Sequence, residues 1–154
     1  MNQPQIIGRQ QAVLFATIGL IMALLLVFVM AGTIPRFMLD IWHSVAIAVG
    51  ALYFAAGMLG MAAGSLIDRF RQPAVISGIV GIGLAESTLL IAAVAGAGVG
   101  FIAHSREGGA FADYIGKPVF WVMLVGSLPA LVLGIIYAYR VRKILEKKTE
   151  ITAE

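Results

Sequence analysis

Glu86 is the one Asp, Glu, Lys or Arg inside the four long apolar stretches of this chain, and a search for chemistry starts there. It follows Pro73 by thirteen residues, which on a helix is a rise of about 20 Å, near the middle of a hydrocarbon layer about 30 Å thick. An ionised carboxylate at that depth costs about 2.5 to 3.5 kcal/mol even on a lenient insertion scale. The acid is therefore expected to be carried protonated and to face other protein. With Ser87 and Thr88 beside it, Glu86 could hold a transported proton or cation. As a purely structural group it would make one interhelical hydrogen bond, to Ser87, Thr88, Tyr53 or Thr17, worth about 0.6 kcal/mol.

The two histidines are the other ligand-forming side chains. His43 opens one apolar stretch and His104 closes the next, so both are expected at the same boundary, where they could ligate a haem or a divalent metal. Ordinary interfacial histidines give the same pattern, and no cofactor is expected. Met58 and Met61 read as packing residues rather than copper ligands. The absence of cysteine rules out disulfides, thiolate metal sites and cysteine nucleophiles. With no nucleophile beside a base, no phosphate-binding loop and no zinc spacing, an enzyme is the least supported class.

These residues need elements to hold them. Of the 154 residues 60% are hydrophobic and 12% charged, and mean hydropathy is +0.96. That is more apolar surface than a soluble core of this size can hide. The sequence predicts an all-α integral membrane protein, a single domain of four transmembrane helices at about 12–32, 43–65, 74–103 and 118–139. The first run is longer than the roughly 7 to 15 residues of a signal peptide's apolar core, so it is read as a retained span. Pro35, Arg36 and Asp40 break the chain after it, Asp68 to Gln72 form a charged turn, and His104 to Lys117 make the longest loop. Pro73 and Pro118 suit first helical turns. The glycines from Gly96 to Gly100 invite a bend in the long third span, and Pro129 a kink in the fourth, with Ser127 placed to meet the freed carbonyl.

Basic residues set the expected orientation. With both termini in the cytoplasm, that side holds Arg9, Arg69, Arg71, Arg140, Arg142, Lys143, Lys147 and Lys148, and the other only Arg36, Arg106 and Lys117. Aromatic residues follow, with Trp42, Tyr114 and Trp121 at the outer boundary and Tyr137 and Tyr139 at the inner one. The net charge of +3 lies beside apolar segments, which argues for loop retention and against nucleic acid. The basic tail, 140–154, with Arg140, Arg142, Lys143, Lys147 and Lys148, can also meet anionic lipid headgroups.

Small residues recur every fourth position as Ala56, Gly60 and Gly64, as Ser77, Gly81 and Ala85, and as Ala92, Gly96 and Gly100. Each stripe lets helix backbones approach closely, within the chain, between copies, or against another membrane protein. The glycine-rich second span, the Arg71-Gln72-Pro73 turn and the mid-membrane Glu86 together resemble the hairpin of the rotor c-subunit of F-type ATP synthases. The resemblance implies that Glu86 would bind the transported proton or sodium ion. The acid lies several residues closer to the proline than in that family, the strict glycine repeat is missing and two further spans flank the hairpin, so it serves as an analogy for Glu86 and not as membership. The leading expectation is a non-catalytic accessory or structural subunit of a larger membrane complex, whose partners are lipid and other membrane subunits or further copies of itself. A proton or cation pathway through Glu86 is the alternative, and a haem or quinone anchor the third reading.

Overall fold

The computed structural model describes residues 2–31, 42–69, 74–104 and 110–153, and these are helical almost throughout. The four long helices are α1 (Gln3–Ala31), α2 (Trp42–Arg69), α3 (Ala74–His104) and α4 (Lys117–Ala153). All four are long and apolar enough to cross a membrane. The expected breaks at Pro35, Arg36 and Asp40, the Arg71-Gln72-Pro73 turn, and Arg106 with Glu107 lie outside the described residues.

Local chemistry accounts for the helix ends. The backbone N–H of Asn2 donates to Gln5 Oε1 at 3.1 Å while Gln5 N–H donates back to the Asn2 carbonyl at 3.0 Å, a reciprocal cap that starts α1 well before the apolar run. One π-helical turn, Ala112–Gly116, leads into α4, and Lys117 Nζ pairs with Asp113 across it at 2.6 Å. The helix α4 passes through Pro129 without ending and runs on through the basic tail.

Consecutive helices pack against each other and α4 closes on α1, so the helices form a ring in chain order. Among the described residues the backbones of α2 and α4 also approach across the ring, whereas those of α1 and α3 stay apart. Both termini lie at one end, where Lys148 Nζ donates to Gln3 Oε1 at 3.4 Å. The core is concentrated at that same end. Ile67, Tyr137 and Val141 are fully buried there among Ile7, Ala63, Ala138 and Leu145.

Two features go beyond what the sequence suggests. Tyr137, expected with Tyr139 at the inner end of the fourth span, sits inside the bundle with its ring edge-on to Phe15, whereas Tyr139 is exposed. The tail continues the last helix and carries a buried face. Tyr137, Val141 and Leu145 recur every fourth residue and are buried, with Arg140 and Lys143 exposed between them and Lys147 exposed after them. This amphipathic extension packs on the early turns of α1, beyond the apolar stretches themselves.

Glycine sets how near the helices come. A Cβ at Gly8 would overlap the Gly60 carbonyl oxygen and lie 2.7 Å from Gly64 Cα, so α1 and α2 cross backbone to backbone. Gly81 and Gly134 do the same for α3 and α4, where a Cβ at Gly134 would come 2.6 Å from the Gly81 oxygen. Gly96 meets Ala48 of α2, whereas a Cβ at Gly100 would find nothing within 4 Å. Gly100 therefore takes no part in the close crossings that the stripe led us to expect of it.

Candidate functional site

Two hydrogen bonds between side chains join helices within the apolar part of the bundle. On α1, Thr17 Oγ1 donates to the Val13 carbonyl at 3.0 Å, so the 3.1 Å contact with Tyr53 of α2 has the tyrosine hydroxyl as donor. On α4, Ser127 Oγ donates to Glu86 Oε2 at 3.0 Å. The partner of Glu86 is thus Ser127, and none of the four residues expected. Ser127 in turn spends its hydrogen on the carboxyl group and not on the carbonyl freed by Pro129.

Glu86, Ser87 and Thr88 point in three directions, as successive helical residues about 100° apart must. Half-buried Glu86 faces the α3–α4 seam. Exposed Ser87 lines a shallow groove of about 230 Å3 between α2 and α3, beside Gly83, Ala62 and Leu66. Thr88 is 7% exposed and faces a central cavity. Within one chain the three hydroxyl and carboxyl groups do not converge on a common point.

The small-residue stripes divide similarly. Ala56, Gly60 and Gly64 are buried, the two glycines against α1, and Gly81 sits against α4. Ala85 and Ala92 line the central cavity, and Gly96 touches α2. The partners of these residues were missed in the sequence. Gly126, Ala130, Gly134 and Ala138 repeat every fourth residue on α4, a signal as regular as those on α2 and α3. Gly8 precedes the apolar run among Gln5, Arg9 and Gln10, where hydropathy gives no reason to look for a helix crossing.

Tyr137 closes the cavity toward the termini. Its hydroxyl lies 3.3 Å from the Gly8 carbonyl oxygen and 3.3 Å from that of Gly60, donating at the point where α1 and α2 cross. Among the described residues three buried side-chain oxygens have no hydrogen-bond partner: Gln11 Oε1, Ser77 Oγ and Thr88 Oγ1.

Of the histidines, His43 is exposed at the start of α2 with its ring against that of Trp42, centroids 3.7 Å apart and planes tilted by 37°. His104 ends α3, and its side chain lies outside the described residues. Among the described residues no three histidine, aspartate or glutamate side chains gather as a metal site would require. In the tail, Arg142 Nε bonds Glu146 Oε1 at 2.7 Å, while Arg140, Lys143, Lys147 and Lys148 are exposed around the terminal end of the bundle. No family model matches the chain, and no curated protein or solved structure is significantly similar to it.

Proposed function

We propose that the chain is an integral membrane protein with both termini in the cytoplasm, serving as a non-catalytic accessory or structural subunit of a larger membrane complex. The observation that carries this reading is the α2–α3 groove. There the Ser87 hydroxyl has no hydrogen-bond partner among the described residues and stands exposed on a helix face that would otherwise meet lipid, next to Gly83, whose added Cβ would meet nothing within 4 Å. A hydroxyl facing hydrocarbon lacks the hydrogen bonds that water would supply, and a partner helix laid against a small-residue groove provides them. Exposed basic residues at the terminal end support the cytoplasmic placement, because Arg140, Lys143 and Lys147 would sit at an anionic membrane surface.

A photoreactive residue introduced at Leu66, in the groove, tests the reading in native membranes. The expected result is a discrete protein adduct from Leu66 and none from the equally lipid-facing Leu128 on α4. Lipid adducts alone from both positions would overturn it. A second reading, a proton or cation path through an assembly of copies, draws support from Glu86, a carboxyl group at mid-depth with only a neutral serine as partner. Glu86→Gln would abolish flux in reconstituted vesicles under that reading and leave assembly and activity of the complex intact under the first.

A further inference from the structure

Because α1 begins at Gln3 and crosses α2 at Gly8, Arg9 is carried alongside the middle of α2. A Cβ added at Gly60 would come 3.3 Å from Arg9 Cα, and one added at Gly57 would come 4.0 Å from Arg9 Nε. The side chain thus runs away from the terminal end instead of snorkelling toward it. Gly57 precedes Arg69, the last residue of α2, by twelve residues, a rise of about 18 Å. Arg9 is exposed, and its guanidinium makes no hydrogen bond or ion pair among the described residues. We infer that this guanidinium pairs with Glu86 of a second copy of the chain, joining copies side by side in the membrane.

Glu86 is complementary in charge, in access and in level. Ser127 donates to its Oε2, and Oε1 has no partner among the described residues. Neither Glu86 nor Ser127 lines the central cavity, and Gly83 and Leu90, which share a helix face with Glu86, are exposed. The carboxyl group is therefore reached from outside the bundle, along the α3–α4 seam. The α2–α3 groove is lined by Leu59 to Leu66 on one helix and by Val80 to Ser87 on the other. These helices run in opposite directions, so Ser87 stands level with Leu59 and Glu86 with about Gly60, the residue beside Arg9 Cα.

The ring order of the helices puts the α1–α2 seam and the α3–α4 seam on opposite sides, so within one chain the two groups do not meet. Copies inserted in the same direction hold both groups at one depth, and lateral approach alone brings them together. A guanidinium and a carboxylate are each costly alone in hydrocarbon, and the forked donors of the first suit the open oxygen of the second. A lipid phosphate is the other oxyanion that a membrane offers, but it would have to leave the surface and travel about 18 Å along α2. The contact is head-to-tail, Arg9 of one copy on Glu86 of the next, and so builds a row or a ring. It uses a different face from the α2–α3 groove and stands apart from any partner subunit.

The test uses the full chain in phosphatidylcholine vesicles, labelled with donor or acceptor dye through Lys147→Cys at the exposed terminal end. Mixed donor and acceptor chains should show energy transfer that falls as lipid dilutes them. Arg9→Gln should weaken this association about tenfold, the scale of one charged hydrogen bond, with helical circular dichroism equal to the parent's. Charge reversal gives a sharper result: Arg9→Glu chains and Glu86→Arg chains should each fail to associate alone, yet associate with one another once mixed. Phe54→Cys chains mixed with Leu90→Cys chains, both exposed positions one turn from the paired groups, should form disulfides between the two kinds of chain and not within either kind. No transfer in the parent, equal transfer in Arg9→Gln, or disulfides within either kind alone would each overturn the inference. So would a monomeric parent that retains one phospholipid per chain through purification and loses it in Arg9→Gln, since that result assigns the guanidinium to a phosphate.

Discussion

Tyr137 joins three helices with one hydroxyl. It belongs to α4 and donates to carbonyls of α1 and α2 at the point where those helices touch through glycine. The carbonyls already accept bonds within their own helices, so the cost of losing the tyrosine hydroxyl is modest, about 1 kcal/mol. Tyr137→Phe should therefore lower the melting temperature in detergent by about 3 °C, with the helical circular-dichroism signal unchanged. Glu86 and Ser127 predict a different asymmetry. Glu86→Gln keeps an acceptor for the serine and should melt within about 1 °C of the parent, whereas Glu86→Leu leaves the Ser127 hydroxyl unpaired and should cost about 1 kcal/mol or slightly less. Equal melting of the two variants in a thermal-shift assay would show that this bond adds nothing. The place of Glu86 within a long apolar stretch was legible from spacing alone. Its partner was not, because Ser127 lies 41 residues away and only the packing of α3 on α4 brings it near.

At the scale of helices, the glycines fall into two classes that the same substitution separates. At Gly8 and Gly81 a methyl group would strike backbone of the neighbouring helix, while at Gly50 and Gly98 it would meet nothing within 4 Å. Gly8→Ala and Gly81→Ala should push helices apart and destabilise by about 1 to 3 kcal/mol, the usual range for overpacking. Gly98→Ala should instead stabilise by about 0.5 to 1 kcal/mol, since alanine is the better helix former. Comparing the three by thermal shift checks both signs at once. The stripes on α2 and α3 were visible in the sequence as regular spacing. The matching stripe on α4 was equally regular, but Pro129 drew the reading of that helix toward a kink. The tail illustrates another limit: Val141 and Leu145 have the spacing of a buried face, yet the surrounding lysines and arginines suggest a solvated end until α1 is seen to begin early enough to cover them.

For the whole molecule, the up-and-down order of the helices makes orientation a simple measurement. A chain with no cysteine needs no background removal before single cysteines are introduced. With the termini in the cytoplasm, Gly116→Cys should react with a membrane-impermeant maleimide from outside and Lys147→Cys should not, both being exposed positions at opposite ends of the bundle. The reverse pattern would invert the assignment. The number of long apolar helices came from hydropathy and length, although α1 begins at Gln3 and α4 runs to Ala153, past the expected 12–32 and 118–139. The hollow interior did not, because no single helix carries a record of the space left between four of them.

The uneven filling of the bundle also governs how it comes apart. Near the termini the helices are riveted by the Gly8–Gly60–Gly64 crossing, the Gly81–Gly134 crossing and the Tyr137 hydroxyl, whereas near Met22, Val45 and Val125 each helix faces empty volume and has few neighbours to lose. Local opening is cheapest where fewest contacts must break. Amide hydrogen exchange in detergent should accordingly run as a gradient along every helix, slowest around Gly60, Gly134 and Tyr137 and fastest around Val45 and Val125, so that protection tracks distance from the terminal end instead of depth in the apolar layer.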